Sequence, residues 1–135
     1  MMALPLCQKL LIADDDKHTR ELLADIFTRS GYSVRTSCDG ADALRQFHSE
    51  NPDLLITDLN MPQINGYDLC QKGRSISKIP IFVLTGSDLG DGRVSRTAFA
   101  AGANTVLGKP FSREEILAQV EALLASSKAL EDAQL

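Results

Sequence analysis

Five short apolar runs, each followed by a stretch with helical spacing, constrain this chain to one kind of architecture. The runs are Lys9 to Ala13, Ser33 to Thr36, Asp53 to Thr57, Ile81 to Thr85 and Thr105 to Leu107. They are too short for helices and rich in branched residues, so they read as strands. A near-continuous apolar strand is buried on both faces. Five of them alternating with helices predict an α/β fold with a parallel sheet covered on both sides and right-handed crossovers.

The intervening segments carry helical signals. Leu22, Leu23, Ile26 and Phe27 recur at helical spacing, and Ser30-Gly31 stops that helix. Ala41 to Glu50, with Leu44 and Phe47 on one face, reads as a second helix ended by Asn51-Pro52. Pro62, Asn65 and Gly66 mark a loop, and a short helix is expected from about Tyr67 to Lys72. A weak helix with Val94, Ala98 and Phe99 inward follows the glycine-rich loop Ser87 to Gly92, and Gly102 caps its end. Ser112 and Glu115 form a capping-box pattern for the last helix, whose stripe is Ile116, Leu117, Val120, Leu123 and Leu124.

The chain has 135 residues, enough for one domain with a core and too few for two ordinary ones. The expected domain is 7–126, with 127–135 a tail or linker stub. A formal net charge of −4 argues against nucleic-acid binding by this domain. No apolar run approaches the roughly 20 residues of a membrane span. Met1 to Leu6 lacks the basic start of a signal peptide. Cys7, Cys38 and Cys70 are odd in number and have no C-x-x-C spacing, which fits reduced thiols in the cytoplasm.

The polar residues of interest fall at strand ends. Asp14, Asp15 and Asp16 follow the first strand, Asp58 follows the third, Thr85 ends the fourth and Lys109 follows the fifth. Taken singly, each has an ordinary explanation: a helix cap, a turn residue, a strand-end hydroxyl, a solvated lysine. An open parallel sheet, however, gathers its carboxyl ends along one edge, where ligands bind. Clustered carboxylates repel each other unless a cation compensates, and oxygen-only ligands suit Mg²⁺. Such a site can offer a carboxylate nucleophile and neutralise an incoming phosphoryl group, with Lys109 adding charge and Thr85 a hydroxyl donor.

The segments LLIADDD, PDLLITDLNMPQINGYDL, IPIFVLTG and GANTVLGKPF, in this order, resemble the receiver domain of two-component response regulators, the chemotaxis regulators among them. They extend over about residues 8 to 125. The resemblance implies a flavodoxin-like doubly wound sheet of order 2-1-3-4-5 with five helices. It implies that Asp58 is the phosphoacceptor, with Asp14, Asp15, Asp58 and the backbone carbonyl of Asn60 holding Mg²⁺. Asp15 would ligate directly and Asp14 mostly through water. Thr85 would be the switch hydroxyl and Lys109 the partner of the phosphoryl group. Lys109-Pro110 would be a cis peptide and Gly66 a turn glycine.

The implied partner is a sensor histidine kinase or phosphotransfer protein. A downstream effector would meet the face made by the fourth helix, the fifth strand and the last helix, in a monomer or weak dimer. The chain would catalyse only its own phosphotransfer and autodephosphorylation. The sequence departs from the family at Val106, where Tyr or Phe is frequent, at Gly86 and Gly108, and at Gly73, which falls where the third helix usually continues. The alternative is a receiver-like scaffold that binds partners without phosphorylation. A phosphatase of the haloacid dehalogenase type would need a second Asp where Asn60 stands. A cobalamin site would need glycine in place of Glu21, and no G-x-G-x-x-G follows the first strand to bind a dinucleotide.

Overall fold

A computed structural model describes residues 7–133. The expectation drawn from Met1 to Leu6, and the last two residues of the expected tail, lie outside the described residues. Strands and helices alternate without exception: β1 (Lys9–Ala13), α1 (Lys17–Arg29), β2 (Ser33–Ser37), α2 (Gly40–Glu50), β3 (Leu54–Thr57), α3 (Gly66–Ile76), β4 (Ile81–Thr85), α4 (Arg93–Ala101), β5 (Thr105–Gly108) and α5 (Arg113–Ala133). All pairings are parallel, in the order β2-β1-β3-β4-β5.

Alternation along each central strand sends side chains to opposite faces. Leu11, Ala13, Leu55, Ile81 and Val83 meet Ala43 and Phe47 of α2, Leu69 and Cys70 of α3, and Ala98 and Ala101 of α4. Leu10, Ile12, Leu54, Ile56, Phe82 and Leu84 meet Leu23 and Phe27 of α1 and Ile116, Val120 and Leu124 of α5. The sheet is therefore the middle of three layers. Each fully buried Leu, Ile or Phe contributes about 1.5–3 kcal/mol relative to exposure.

Helix starts follow their side chains. Asp16, Asp39 and Asn65 cap α1, α2 and α3 by accepting backbone N–H groups of Thr19, Asp42 and Asp68. Ser112 accepts from Glu115 N at 3.0 Å at the start of α5, as the capping pattern predicts.

Four expectations need correction. The helix expected to end near Lys72 runs to Ile76. Gly73 does not break it: the residue is buried, and an added Cβ would lie 3.3 Å from the Phe47 ring, so the glycine seats α3 closely on α2. Phe99 is 49% exposed, not inward, because the buried face of α4 follows Val94, Ala98 and Ala101 at i, i+4 and i+7. Leu22 is exposed as well, since Leu23, Ile26 and Phe27 fill the inward arc of α1. β2 is not an apolar run buried on both faces; it is an edge strand, largely exposed until Ser37. Separately, α5 continues without interruption past Ser126, as a helical linker stub would.

Candidate functional site

The sheet order changes direction between β1 and β3, and the crevice beyond their carboxyl ends holds the acidic residues. The backbone places them in register. Asp58 N donates to Ala13 O at 3.0 Å and Asp14 N to Ser37 O at 3.1 Å, extending the strand ladders by one residue each. Lys109 N donates to Thr85 O at 2.8 Å, which sets the lysine beside the end of β4. The Lys109–Pro110 peptide is cis.

Side-chain oxygens of Asp14, Asp15 and Asp58 lie within 4.8 Å of one another. Lys109 Nζ donates to Asp14 Oδ2 at 2.7 Å and to Asp58 Oδ2 at 3.2 Å. The second oxygen of each buried carboxylate takes a backbone N–H: Asp16 N to Asp14 Oδ1 at 2.9 Å, and Leu59 N to Asp58 Oδ1 at 2.7 Å. Asp14 and Asp58 are buried and Asp15 is exposed.

Electrostatics follow from this packing. Burial holds the Asp14 carboxyl above its ordinary pKa, against the opposing effects of Lys109 and the Asp16 amide; the neighbouring Asp58 charge adds to the rise. Burial disfavours the Lys109 charge too, yet its bonds and attraction to Asp14 and Asp58 outweigh that and its pKa is raised. Three carboxylates against one ammonium leave a formal excess of two negative charges, which one divalent cation would neutralise. The all-oxygen donor set therefore fits Mg²⁺.

Asp16 stands apart from the other two aspartates of the triplet. Its carboxylate is spent on the Thr19 hydroxyl, at 2.6 Å, and the Thr19 amide, and these bonds lower its pKa. Thr85 is fully buried at the end of β4, and its Oγ1 accepts from Ser87 N at 3.1 Å. Asn60 is exposed, and its Nδ2 donates to Ser87 Oγ at 3.2 Å, joining the loops after β3 and β4.

Gly66 explains how Asp58 is held. A Cβ at Gly66 would lie 2.1 Å from Asp58 O and 2.6 Å from Leu59 Cα, so only glycine lets α3 start against this backbone. Thr57 Oγ1 donates to the same Asp58 carbonyl at 2.8 Å.

One contact escaped sequence reasoning. Arg20 Nη1 donates to Asp14 O at 2.8 Å, bracing the first acidic residue from α1. An arginine six residues on could have been found only by laying the first turns of α1 against the end of β1. A cavity of about 840 Å³ lies at the opposite edge of the sheet, bounded by Tyr32, Glu121 and Lys128, and includes none of these groups.

The sequence model of the response regulator receiver domain matches residues 10–121. The chain belongs to that family. It is 40% identical over 127 residues to the response regulator MprA of Mycobacterium avium, covering 93% of this chain and 55% of that protein. It is 42% identical over 117 residues to the probable transcriptional regulator ycf27 of Galdieria sulphuraria, covering 87% of this chain and 45% of that protein. This receiver chain thus spans about half the length of the curated relatives it matches.

Among solved structures it is similar to the Vibrio cholerae chemotaxis protein CheY4, with a TM-score of 0.81 at 29% identity, covering 87% of this chain and 99% of that one. It is also similar to a putative response regulator from Chloroflexus aurantiacus, with a TM-score of 0.81 at 38% identity, covering 89% and 99%. The receiver domain belongs to two-component signalling, and the strand order expected from the resemblance is the one observed. No helix among the described residues is long and apolar enough to cross a membrane.

Proposed function

We propose that this receiver domain accepts a phosphoryl group on Asp58, from a histidine kinase or phosphotransfer protein, and passes the change to a partner. The observation that carries this reading is the convergence of Asp14 and Asp58 on one ammonium, 2.7 and 3.2 Å from Lys109 Nζ. A surface turn or a helix cap has no use for a lysine drawn into a buried carboxylate pair.

Asp14, Asp15, Asp58 and the backbone carbonyl of Asn60 are the groups that would hold Mg²⁺. When bound, the ion supplies positive charge to the carboxylates and to the phosphoryl oxygens. A carboxylate oxygen of Asp58 forms a bond to phosphorus as the bond from phosphorus to the donor breaks, and the electron pair leaves with the donor. Lys109 turns its ammonium from the Asp58 carboxylate to a phosphoryl oxygen. The Thr85 hydroxyl donates to a second one. In the second step a water oxygen forms a bond to phosphorus as the bond from phosphorus to the Asp58 oxygen breaks. The electron pair stays on the restored Asp58 carboxylate, and inorganic phosphate leaves, the water protons passing to it and to solvent. The chain catalyses only these two steps upon itself.

The added charge draws Thr85 inward and moves the segment 86–102 behind it. The face made by α4, β5 and α5 then meets the downstream partner, either a separate protein or an output domain. The reading includes a cytoplasmic monomer or weak dimer, a receiver unit over 7–126, and no nucleic-acid contact by this unit.

The test is intact mass after incubation with a small-molecule phosphodonor and Mg²⁺. Wild type gains one phosphoryl group, lost on hydroxylamine treatment as an acyl phosphate, and Asp58→Asn gains none while its circular dichroism is unchanged. Equal labelling of the two proteins overturns the assignment. No labelling of either favours the phosphorylation-independent scaffold.

A further inference from the structure

The two ends of α4 are held very differently. At its start, Gly92 has φ +78° and gives no side-chain cap, and the preceding loop contains Gly86 and Gly90. The bonds of Asp91, from Arg93 N to Oδ1 at 2.9 Å and from Arg96 Nη1 to its carbonyl at 3.3 Å, stay within the loop and the helix itself. At its end, the helix meets a single arginine from another element. Arg74, in the last turn of α3, donates through Nη2 to Gly102 O at 2.8 Å and to Asn104 Oδ1 at 2.8 Å. Its Nε reaches Gly102 O at 3.3 Å, and its Nη1 reaches Ile79 O at 2.7 Å and Ser77 O at 3.3 Å. All these acceptors are neutral oxygens. Burial, which lowers the Arg74 pKa, makes the bonds costly to lose.

The arrangement ties four places together. Ser77 and Ile79 lie before β4, Gly102 closes α4, and Asn104 precedes β5. The Asn104 amide oxygen also accepts Ile81 N at 2.8 Å, so the same atom joins the start of β4 to the arginine. Gly102, at φ +117°, is required twice over: by its left-handed backbone, and because a Cβ there would lie 3.1 Å from Arg74 Cβ. Arg74 therefore packs its stem on the α4 terminus and bonds it with its head.

We infer that Arg74 anchors the carboxyl end of α4, so that switching swings α4 about this end. Within the moving segment 86–102 the displacement is then largest at 86–97 and falls to nothing at its last residue, with 102–104 held. Arg74 is a positioning residue: it touches none of the reacting groups. The inference rests on the proposed switch at Thr85, but the anchor itself can be read in the unphosphorylated protein.

Amide exchange of the full chain tests both parts. The amides of Gly102, Ala103 and Asn104 are hydrogen-bonded to Phe99 O, Ala98 O and Ile81 O, so their protection can be measured. In wild type, beryllofluoride with Mg²⁺ should alter exchange at 86–97 and leave 102–104 unchanged. Arg74→Met keeps an apolar stem and removes every donor. Without beryllofluoride it should exchange residues 102–104 about tenfold faster, and with it the response should spread into them. Arg74→Lys, which retains charge but not the planar fork, should show the same effect more weakly and covers the case of a methionine variant that does not fold.

Unchanged exchange at 102–104 in the unphosphorylated variants overturns the anchor. Wild-type changes at 102–104 as large as those at 86–92 overturn the swing. A wild type that binds no beryllofluoride and takes no phosphoryl group refutes the proposed function instead. The unphosphorylated arm still decides the anchor in that case.

Discussion

Lys109 is bonded more closely to Asp14, at 2.7 Å, than to Asp58, at 3.2 Å. In the metal-free protein the lysine thus serves first to neutralise Asp14, a carboxylate only 2% exposed. That service is incomplete, because burial still raises the Asp14 pKa.

The sign of the stability effect follows. A carboxyl whose folded pKa lies above the ordinary 3.8 holds its proton in the folded state after the unfolded chain has released it. Its penalty is absent below 3.8 and grows as pH rises through the folded pKa. Metal-free Asp14→Asn should therefore melt at a higher temperature than wild type at pH 7, and the gap should close in acid. Thermal melts in a chelator from pH 3 to 7 read this directly, and a variant less stable than wild type at pH 7 contradicts it. Lys109 behaves oppositely: its raised pKa contributes stability below the ordinary 10.5 that is lost in stronger alkali.

Mg²⁺ should relieve the same strain. At tenfold its Kd, mass action adds about 1.4 kcal/mol to wild-type stability. Arg20 sharpens the test, since it holds the Asp14 carbonyl at 2.8 Å without bonding its carboxylate. Removing a nearby positive charge would by itself strengthen cation binding; losing the brace weakens it. Arg20→Met is expected to weaken Mg²⁺ binding about threefold to tenfold in calorimetric titration, in the range of one lost hydrogen bond. Tighter binding by the variant would show that charge outweighs position.

Gly66→Ala should be among the most damaging small substitutions. The new methyl would meet backbone at Asp58 and Leu59, which no side-chain rotation can relieve. The expected cost is about 3 kcal/mol, with slower phosphoryl uptake in whatever fraction still folds. Gly73→Ala is the control: its Cβ meets side chains alone, the Phe47 ring at 3.3 Å and Ile81 Cδ1 at 3.9 Å, and its cost should be much smaller. Urea unfolding of the two variants distinguishes a glycine that clears the Asp58–Leu59 backbone from one that only seats a helix against side chains.

The fold was legible because the strands are short, apolar and regularly spaced, and the convergence of the candidate site's residues because they fall at strand ends. What the sequence hid was mostly relational. The exposure of Phe99 depends on where α4 meets the sheet, and one residue of offset turns an apolar side chain outward. Gly73 looked like a helix breaker because propensity counts its cost in isolation, whereas the close seat on Phe47 is a tertiary gain. Asp14 to Asp16 looked like one acidic cluster; capping of Thr19 removes the third from it. Arg74 gave no signal at all, since its acceptors are backbone atoms and an amide in other elements.

On the proposed reading, Val106 governs how the switch is read out. It lies on β5 opposite Val83 and packs with the cluster that includes Val94 and Ala98 of α4. A branched side chain this short is restricted at χ1 and has no ring to carry outward. The proposed response to phosphorylation should therefore fall on the backbone of the loop between β4 and α4. Val106→Tyr adds a ring beside α4 without touching Asp58, Lys109 or Thr85. It should leave the extent of phosphoryl uptake unchanged by intact mass, and shift the beryllofluoride response in amide exchange at residues 93–98. The direction is testable: a ring that finds room only when α4 has swung away makes the unphosphorylated variant resemble the activated wild type at these amides. Identical exchange in the two proteins, with and without beryllofluoride, would mean that the segment from Gly86 to Ala98 moves independently of what β5 presents to it.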